Sequence, residues 1–383
     1  KRLAIVRSDL EDDMPRNLYG ADHESFRETV REFVDRSLRP RAQQFIDARS
    51  IDREVWVEAG KQGLLGLEVP EVHGGSGACD FRFNAVLGEE LSKFTAAASS
   101  CFGIHTDCVA PYLVDLGTPE QKERWLPGFC SGEVITAIAM TEPSGGSDLA
   151  ALQMRAEDQG DHYLLNGSKT FITNGYQADL VVVAARTSPE KGARGITLFG
   201  VETGMPGFER GRKLDKVGQT ESDTAELFFT DVRVPGANVI GDVDRGFIAM
   251  MERLPQERVG GAVSNTAHAQ QILVETIAYV KERKAFGQPI GSFQHNKFLI
   301  AELQTKLEVT QAYVDDCVEA HNERKLTAVD AAKAKWWSAE VQNEVLDACV
   351  QLYGGYGFMN ETVVARHYRD SKILEIGEGT TEV

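Results

Sequence analysis

From about Asp22 the apolar residues Phe26, Val30, Phe33, Val34 and Leu38 recur at three- and four-residue steps. That spacing lays one stripe along a helix, and Pro40 is expected to end it. A second helix is predicted at Thr118-Pro119-Glu120-Gln121, where Thr118 can cap, Pro119 suits the first turn, and Gln121 stands three residues after the cap. Between them lie a glycine-rich turn, His73-Gly74-Gly75-Ser76-Gly77, and one long apolar helix expected over residues 83–102. Residues 1–137, with a polar opening at Glu11-Asp12-Asp13, therefore read as an all-helical domain.

The pattern changes near Ile138. Leu180-Val181-Val182-Val183-Ala184-Ala185, Gly195-Ile196-Thr197-Leu198-Phe199-Gly200-Val201 and Glu226-Leu227-Phe228-Phe229 are short, β-branched or aromatic, and bounded by turn residues. Asn166-Gly167 within Tyr163–Lys169 is a hairpin signal. Residues 138–241 are thus predicted as a β domain, a sandwich or barrel. From about Phe247 the helical period returns and holds to Tyr353, in three long segments broken near 287–292 and 321–326. Long helices with short connections predict a four-helix bundle over 242–383 once the tail is added.

Composition narrows the partners. With 42% hydrophobic and 26% charged residues, the chain is of ordinary globular make-up. A net charge of -17 argues against nucleic acid, which needs a basic face, and against an anionic membrane surface. No run of residues approaches a membrane span, no secretory signal opens the chain, and stable membrane insertion is not expected. Cys79, Cys101, Cys108, Cys130, Cys317 and Cys349 show neither a CxxC pair nor metal spacing, so they suit a reducing compartment and no metal is predicted. The eight histidines are scattered without metal spacing or a nucleophile motif, and read as structural.

The chemistry concentrates in four segments. Ala139-Met140-Thr141-Glu142-Pro143-Ser144-Gly145-Gly146-Ser147-Asp148 sets hydroxyls, amides and small residues at a turn, where a planar cofactor or a thioester can lie against the main chain. Phe171-Ile172-Thr173, Arg283-Lys284-Ala285-Phe286-Gly287 and Glu375-Ile376-Gly377-Glu378-Gly379-Thr380 follow in order. No GxGxxG follows a strand and opens a helix, so a dinucleotide would have to be held in some other way than in a Rossmann fold.

Taken together, and over nearly the whole chain, these segments resemble the acyl-CoA dehydrogenase family of flavoenzymes, with local text closest to its long-chain and isovaleryl branches. The resemblance implies an α+β fold of N-terminal helical, middle β-sandwich or barrel, and C-terminal four-helix domains. It implies FAD, held at the ring and its pyrimidine edge by Ile138, Met140, Thr141, Gly146 and Ser147, and beside N5 by Phe171, Ile172 and Thr173. Phe171 stands where the family usually has Trp. Arg283, Phe286, Phe293, Gln294, Gln351, Leu352, Gly354 and Gly355 match positions that contact the adenine-pyrophosphate half, partly from a neighbouring subunit. Thr380 and Glu382 match positions near the flavin.

By the same resemblance the substrate is an acyl-CoA or acyl-carrier-protein thioester, contacted by Ser147, Gln256, Arg258 and Gly379. Two carboxylates compete for the α-proton. Glu378 occupies the position of the catalytic Glu in most of the family, and Glu257 the position used by the long-chain and isovaleryl branches. Glu378 is preferred, and the two titrations should couple. The backbone N–H of Glu378 is expected to hold the thioester oxygen, and side chains in residues 91–105 to set chain length, medium to long. An electron-transfer flavoprotein is the implied acceptor, a dimer of dimers the implied assembly, and bacterial cytoplasm or mitochondrial matrix the implied location. Oxygen-using oxidases and a silent flavin- or thioester-binding subunit are the alternatives.

Overall fold

The computed structural model describes residues 16–383, so the acidic opening at Glu11-Asp12-Asp13 lies outside the described residues. Helix α1, Ala21–Phe33, buries Val30 and Phe33 as the stripe predicts. Pro40 does not end the helical path. The chain widens into a π turn, Val34–Leu38, tightens into a 3₁₀ turn, Arg39–Arg41, and continues as α2, Ala42–Ala48. Proline is tolerated there because it sits in the first turn of a new segment, where its missing N–H has no helical partner to lose.

After α3, Arg53–Lys61, the single long helix expected over 83–102 is two: α4, Arg82–Phe94, and α5, Ala96–Gly103. Thr95 divides them. Its backbone is extended and its hydroxyl accepts from the Ala98 N–H at 3.0 Å, so it caps α5 at the expense of continuity. A π segment, Ile104–Val109, then leads towards α6, Pro119–Ser131. Here the capping box forms as read: the Thr118 hydroxyl accepts from Gln121 N–H at 3.3 Å, and Gln121 Oε1 accepts from Thr118 N–H at 3.1 Å. Trp56 stacked on Phe102, 4.5 Å between centroids, anchors the core of this helical layer.

The middle region is an eight-stranded sheet of β1, Thr136–Ala139; β2, Arg155–Asp158; β3, His162–Thr173; β4, Leu180–Arg186; β5, Ile196–Glu202; β6, Phe208–Lys213; β7, Thr224–Pro235; and β8, Val239–Ile240. Their order is β6-β7-β3-β2-β4-β5-β8, with β1 parallel to β4. The unbroken apolar run of β4 has a simple cause. Leu180, Val182 and Ala184 pack on Trp125 and Phe129 of the helical layer, while Val181, Val183 and Ala185 pack on Phe199 and Val234. Asn166-Gly167 does not turn a hairpin. Both residues lie inside β3, at a bulge where the register with β7 shifts between Leu165 and Gly167. The hairpin turn falls earlier, between β2 and β3, where Gln159 N–H meets His162 O at 2.9 Å.

The C-terminal part is a helical bundle. Helix α7, Gly246–Glu282, is 37 residues and about 55 Å long. After a short hairpin of β9, Lys284–Ala285, and β10, Gln288–Pro289, come α8, Gln294–Asn322; α9, Ala328–Tyr353; and α10, Val363–Ser371. Ile272, Leu307, Val345 and Val364 share one core across the four helices. A buried polar chain pins α10: Gln342 donates to His268 Nδ1 at 2.8 Å, and His268 Nε2 meets His367 Nδ1 at 2.5 Å. Burial holds both rings neutral by pushing their pKa values down. Among the described residues no helix is long and apolar enough to cross a membrane.

The capping box gives a direct check on the helical layer. Thr118→Ala should cost about 1 kcal/mol, read as a lower urea midpoint with bound cofactor held constant.

Candidate active site

Helix α7 carries Gln256, Glu257 and Arg258 in succession, then Gly260 and Gly261. Residues four apart lie on one face of a helix, so Gly261 stands one turn beyond Glu257 on the same side. The tail after α10 returns across this face. A side chain at Gly261 is what the return excludes: an added Cβ would sit 2.7 Å from Glu378 Oε2. The two carboxyls therefore converge on one turn of α7, although 121 residues separate them in sequence.

The turn that presents Glu378 is unusual in its backbone. Glu378 has φ +56° and Gly379 φ +107°, both in the left-handed region. Two cations hold it. Arg258 Nε donates to the Glu378 carbonyl at 3.1 Å, and Lys335 Nζ, from α9, donates to the Gly379 carbonyl at 2.6 Å.

The electrostatics separate the pair. Glu257 is buried, its Oε1 has no hydrogen-bond partner among the described residues, and its carboxyl is pushed up to about 8. Loss of hydration is the largest cause and the Glu378 charge the next, with Arg258 and Arg253 opposing. Glu378 is exposed as a residue, but its carboxyl is packed against the face of α7 at Gly261. That crowding raises it to about 7, against the pull of Lys335 and Arg258 and with a smaller push from Asp107. Such a pair holds one proton and one charge near neutrality. The ionised member is a base in a site poor in competing hydrogen bonds.

Nearby groups complete the pocket. Asp107, on the Ile104–Val109 segment, accepts from Asn84 and Thr106, each at 2.8 Å, and burial lifts it to about 6. Gln256 donates to the Asp107 carbonyl at 3.0 Å, and His321 reaches Gln256 Oε1 at 3.1 Å. The same segment packs on both β1 and α7, and so brings the carboxyls up to the sheet. His105, expected to be structural, is so: it bridges Thr136 at 2.8 Å and the Phe129 carbonyl at 3.2 Å.

At the sheet edge, Ile138 and Met140 lead into the turn holding Thr141, Gly146 and Ser147. Thr170 N–H donates to the Thr141 carbonyl at 3.0 Å, which sets this turn beside the end of β3. A buried pair fixes it from behind. Lys169 Nζ lies 2.9 Å from both the Met140 carbonyl and Glu142 Oε1, and Glu142 also accepts from the Gln153 and Met154 N–H groups. Next to it β3 bulges. Phe171 takes φ +60° and leaves its ring 68% exposed, while Ile172 is buried and Thr173 half-buried. A large ring held outward on strained backbone marks a surface made for something to cover.

The other predicted contacts lie elsewhere. Arg283, Leu352, Gly354 and Gly355 line a cavity of about 410 Å³ with Tyr279, Tyr353 and Tyr356. Gly354 and Gly355 have nothing within 4 Å of where a Cβ would stand, so side chains there would fill the cradle. Phe286, 96% exposed, meets Phe293 edge-on at 6.3 Å, with Gln294 opening α8 and Gln351 exposed on α9. Along α7 the step from Glu257 to Arg283 is 26 residues, about 39 Å. One chain does not bring this cavity to its own carboxyls. In the tail, Thr380 is half-buried, Glu382 exposed, and the neighbouring Thr381 hydroxyl is buried with no partner among the described residues.

Sequence reading had not singled out Gly261, Lys335, Asp107 or the Lys169–Glu142 pair. The first left a signal: two successive glycines inside a helix cost about 1 kcal/mol each and call for a reason.

Comparison with known proteins follows the three regions. Residues 20–133, 137–232 and 244–383 match the N-terminal, middle and C-terminal domains of acyl-CoA dehydrogenase. The long-chain specific acyl-CoA dehydrogenase of Mus musculus mitochondria is 44% identical over 370 residues, 96% of this chain and 86% of that one. The crystal structure of an acyl-CoA dehydrogenase from Geobacillus kaustophilus superposes with a TM-score of 0.94 at 42% identity, covering 96% of this chain and 97% of its own. A glutaryl-CoA dehydrogenase of Mycobacterium smegmatis in complex with FADH2 does so at 0.89 and 26% identity, covering 95% and 92%. With its helical, β and helical regions, its sheet-edge turn and its paired carboxyls, the chain belongs to the acyl-CoA dehydrogenase family.

Proposed function

We propose that this member of the family oxidises a medium-to-long saturated acyl-CoA to its trans-2-enoyl thioester, with Glu378 taking the α-proton. One observation carries the assignment of the base: of the two converging carboxyls, Glu378 sits on the turn clamped by Arg258 and Lys335, while Glu257 keeps a buried, unpartnered oxygen. The cations favour the charged form of Glu378, and burial favours the neutral form of Glu257.

FAD is the cofactor of this family, and its isoalloxazine, when bound, supplies the two-electron oxidation that accepts the β-hydrogen. The residues present fit it. Ile138, Met140, Thr141, Gly146 and Ser147 offer a polar edge, and Phe171, Ile172 and Thr173 a wall beside it. The cavity at Arg283, Leu352, Gly354 and Gly355, with Phe286, Phe293, Gln294 and Gln351 around it, suits an aromatic and anionic half through ring faces and a forked guanidinium. Its distance from the carboxyls supports reading it as a site for the cofactor of a second copy in an oligomer. Thr380 and Glu382 stand on the tail between these duties.

The protein's own work is then proton handling and placement. The clamped turn aims Glu378 at the α-carbon, and its backbone N–H faces the developing charge on the thioester oxygen. Gln256 and Arg258 bound the substrate side with Gly379. The text around Glu257 and the 44% identity to a long-chain enzyme support a long acyl chain. We assign the acceptor role to an electron-transfer flavoprotein.

In single-turnover flavin bleaching with palmitoyl-CoA, Glu378→Gln should lower the rate by about 10³-fold and Glu257→Gln by far less. Native bleaching by Glu378→Gln, with Glu257→Gln inactive, would exchange the two roles. A carboxyl raised to about 7 is protonated below that pH, so kcat/KM should climb as pH rises through 7 and level off above it. Gly261→Ala would push the Glu378 carboxyl aside. About 100-fold in kcat should be lost while the melting temperature holds or rises, since alanine suits a helix better than glycine.

A further inference from the structure

We propose that Lys335 is the positioning residue of the Glu378 turn, anchoring it through the Gly379 carbonyl and keeping a positive charge behind the base. This rests on the assignment of Glu378 above.

Lys335 is 5% exposed on the face of α9 that looks into the bundle, where its neighbours Ala331, Ala334, Ser338 and Ala339 are small and buried. A buried ammonium is costly, and ordinarily a carboxylate within ion-pair distance compensates it. Here Nζ donates instead to a main-chain carbonyl, Gly379 O at 2.6 Å, and among the described residues no carboxylate stands within 4.0 Å of it. Its field is therefore left for charges farther off, and those acting on it are Glu378 first, then Glu375, with Arg258 opposing. A side chain serving only to fill space would be better apolar.

The anchoring has a mechanical reason as well. Glu378 and Gly379 both have left-handed backbone, which costs free energy at Glu378 and persists only where surroundings impose it. Two helices impose it by gripping successive carbonyls, α7 through Arg258 and α9 through Lys335. With those carbonyls held towards α7 and α9, the carboxyl lies over Gly261. The charged groups facing Glu378 are Glu257 and Arg258 from α7, Lys335 from α9, Asp107 from the Ile104–Val109 segment and Glu375 from its own stretch. Removing Lys335 leaves Arg258 as the one cation among these groups, against three acids.

The test uses the full chain loaded with FAD, in two variants. Lys335→Gln keeps a neutral donor, and Lys335→Met keeps neither donor nor charge. Bound flavin per subunit, melting temperature and the pH dependence of bleaching are read for both. The acid limb should move up by about one pH unit in each variant, so that bleaching at pH 6 is about tenfold slower than native. At pH 9 the Gln variant should return to within about threefold of native, and the Met variant should stay lower by a pH-independent factor from the lost anchor. An unmoved acid limb, or a loss equal at every pH in both variants, would overturn the proposal. So would failure of both variants to fold with flavin, which would make Lys335 part of the core. If Glu378→Gln is inactive and the Lys335 limbs are native, only this inference falls; if Glu378→Gln bleaches normally, the assignment of the base falls first.

Discussion

A carboxyl taken out of water must give up its charge or find a partner, and this site depends on Glu257 doing the former. Its Oε1 is buried without a hydrogen-bond partner among the described residues, and the charge that acts on it most strongly is another carboxyl's. Two negative charges side by side, one of them buried, are costly, which favours one proton on the pair near neutrality. The cations settle where it rests. Arg258 and Lys335 grip the Glu378 turn, and solvent reaches Glu378 but not Glu257. Environment rather than residue type thus favours the charged form of Glu378 beside the neutral form of Glu257.

The rest of the fold serves this arrangement. Helix α7 supplies Glu257, Arg258 and the vacant space at Gly261, and α9 supplies Lys335. The pinning of α10 through Gln342, His268 and His367 determines where the tail begins its return. The Ile104–Val109 segment packs on both β1 and α7, and so ties the sheet to the helix that carries Glu257. Arg283, just past the end of α7, lies about 39 Å along the helix from Glu257, so the cavity it lines and the paired carboxyls stand at opposite ends of one helix.

Much of this was legible in the sequence where the cause was local. The change from a three- and four-residue period to short β-branched runs near Ile138, and back near Phe247, marked three regions because each period belongs to one kind of element. Thr118 and Gln121 announced their capping box for the same reason. Local rules failed where a second local rule competed. Thr95 looked like one residue in an apolar helix but caps the next one; Pro40 looked like a stop but opens a turn; Asn166-Gly167 looked like a hairpin but forms a bulge within β3. What could not be read was long-range. The contact of Gly261 with Glu378 spans 117 residues and that of Lys335 with Gly379 spans 44. Nothing in the text around either residue names its partner. The fold and chemical class were therefore open to reading, while the contacts that set the two glutamates apart are not local in sequence.

The whole arrangement requires the proton of the pair to rest on Glu257 while Glu378 ionises first. Infrared difference spectroscopy on protein labelled with carbon-13 in the glutamate carboxyls tests it directly. Between the two titrations, above pH 7 and below pH 8, a protonated-carboxyl band is expected that disappears in Glu257→Gln and survives in Glu378→Gln. A spectrum in which Glu257→Gln loses no such band would contradict it.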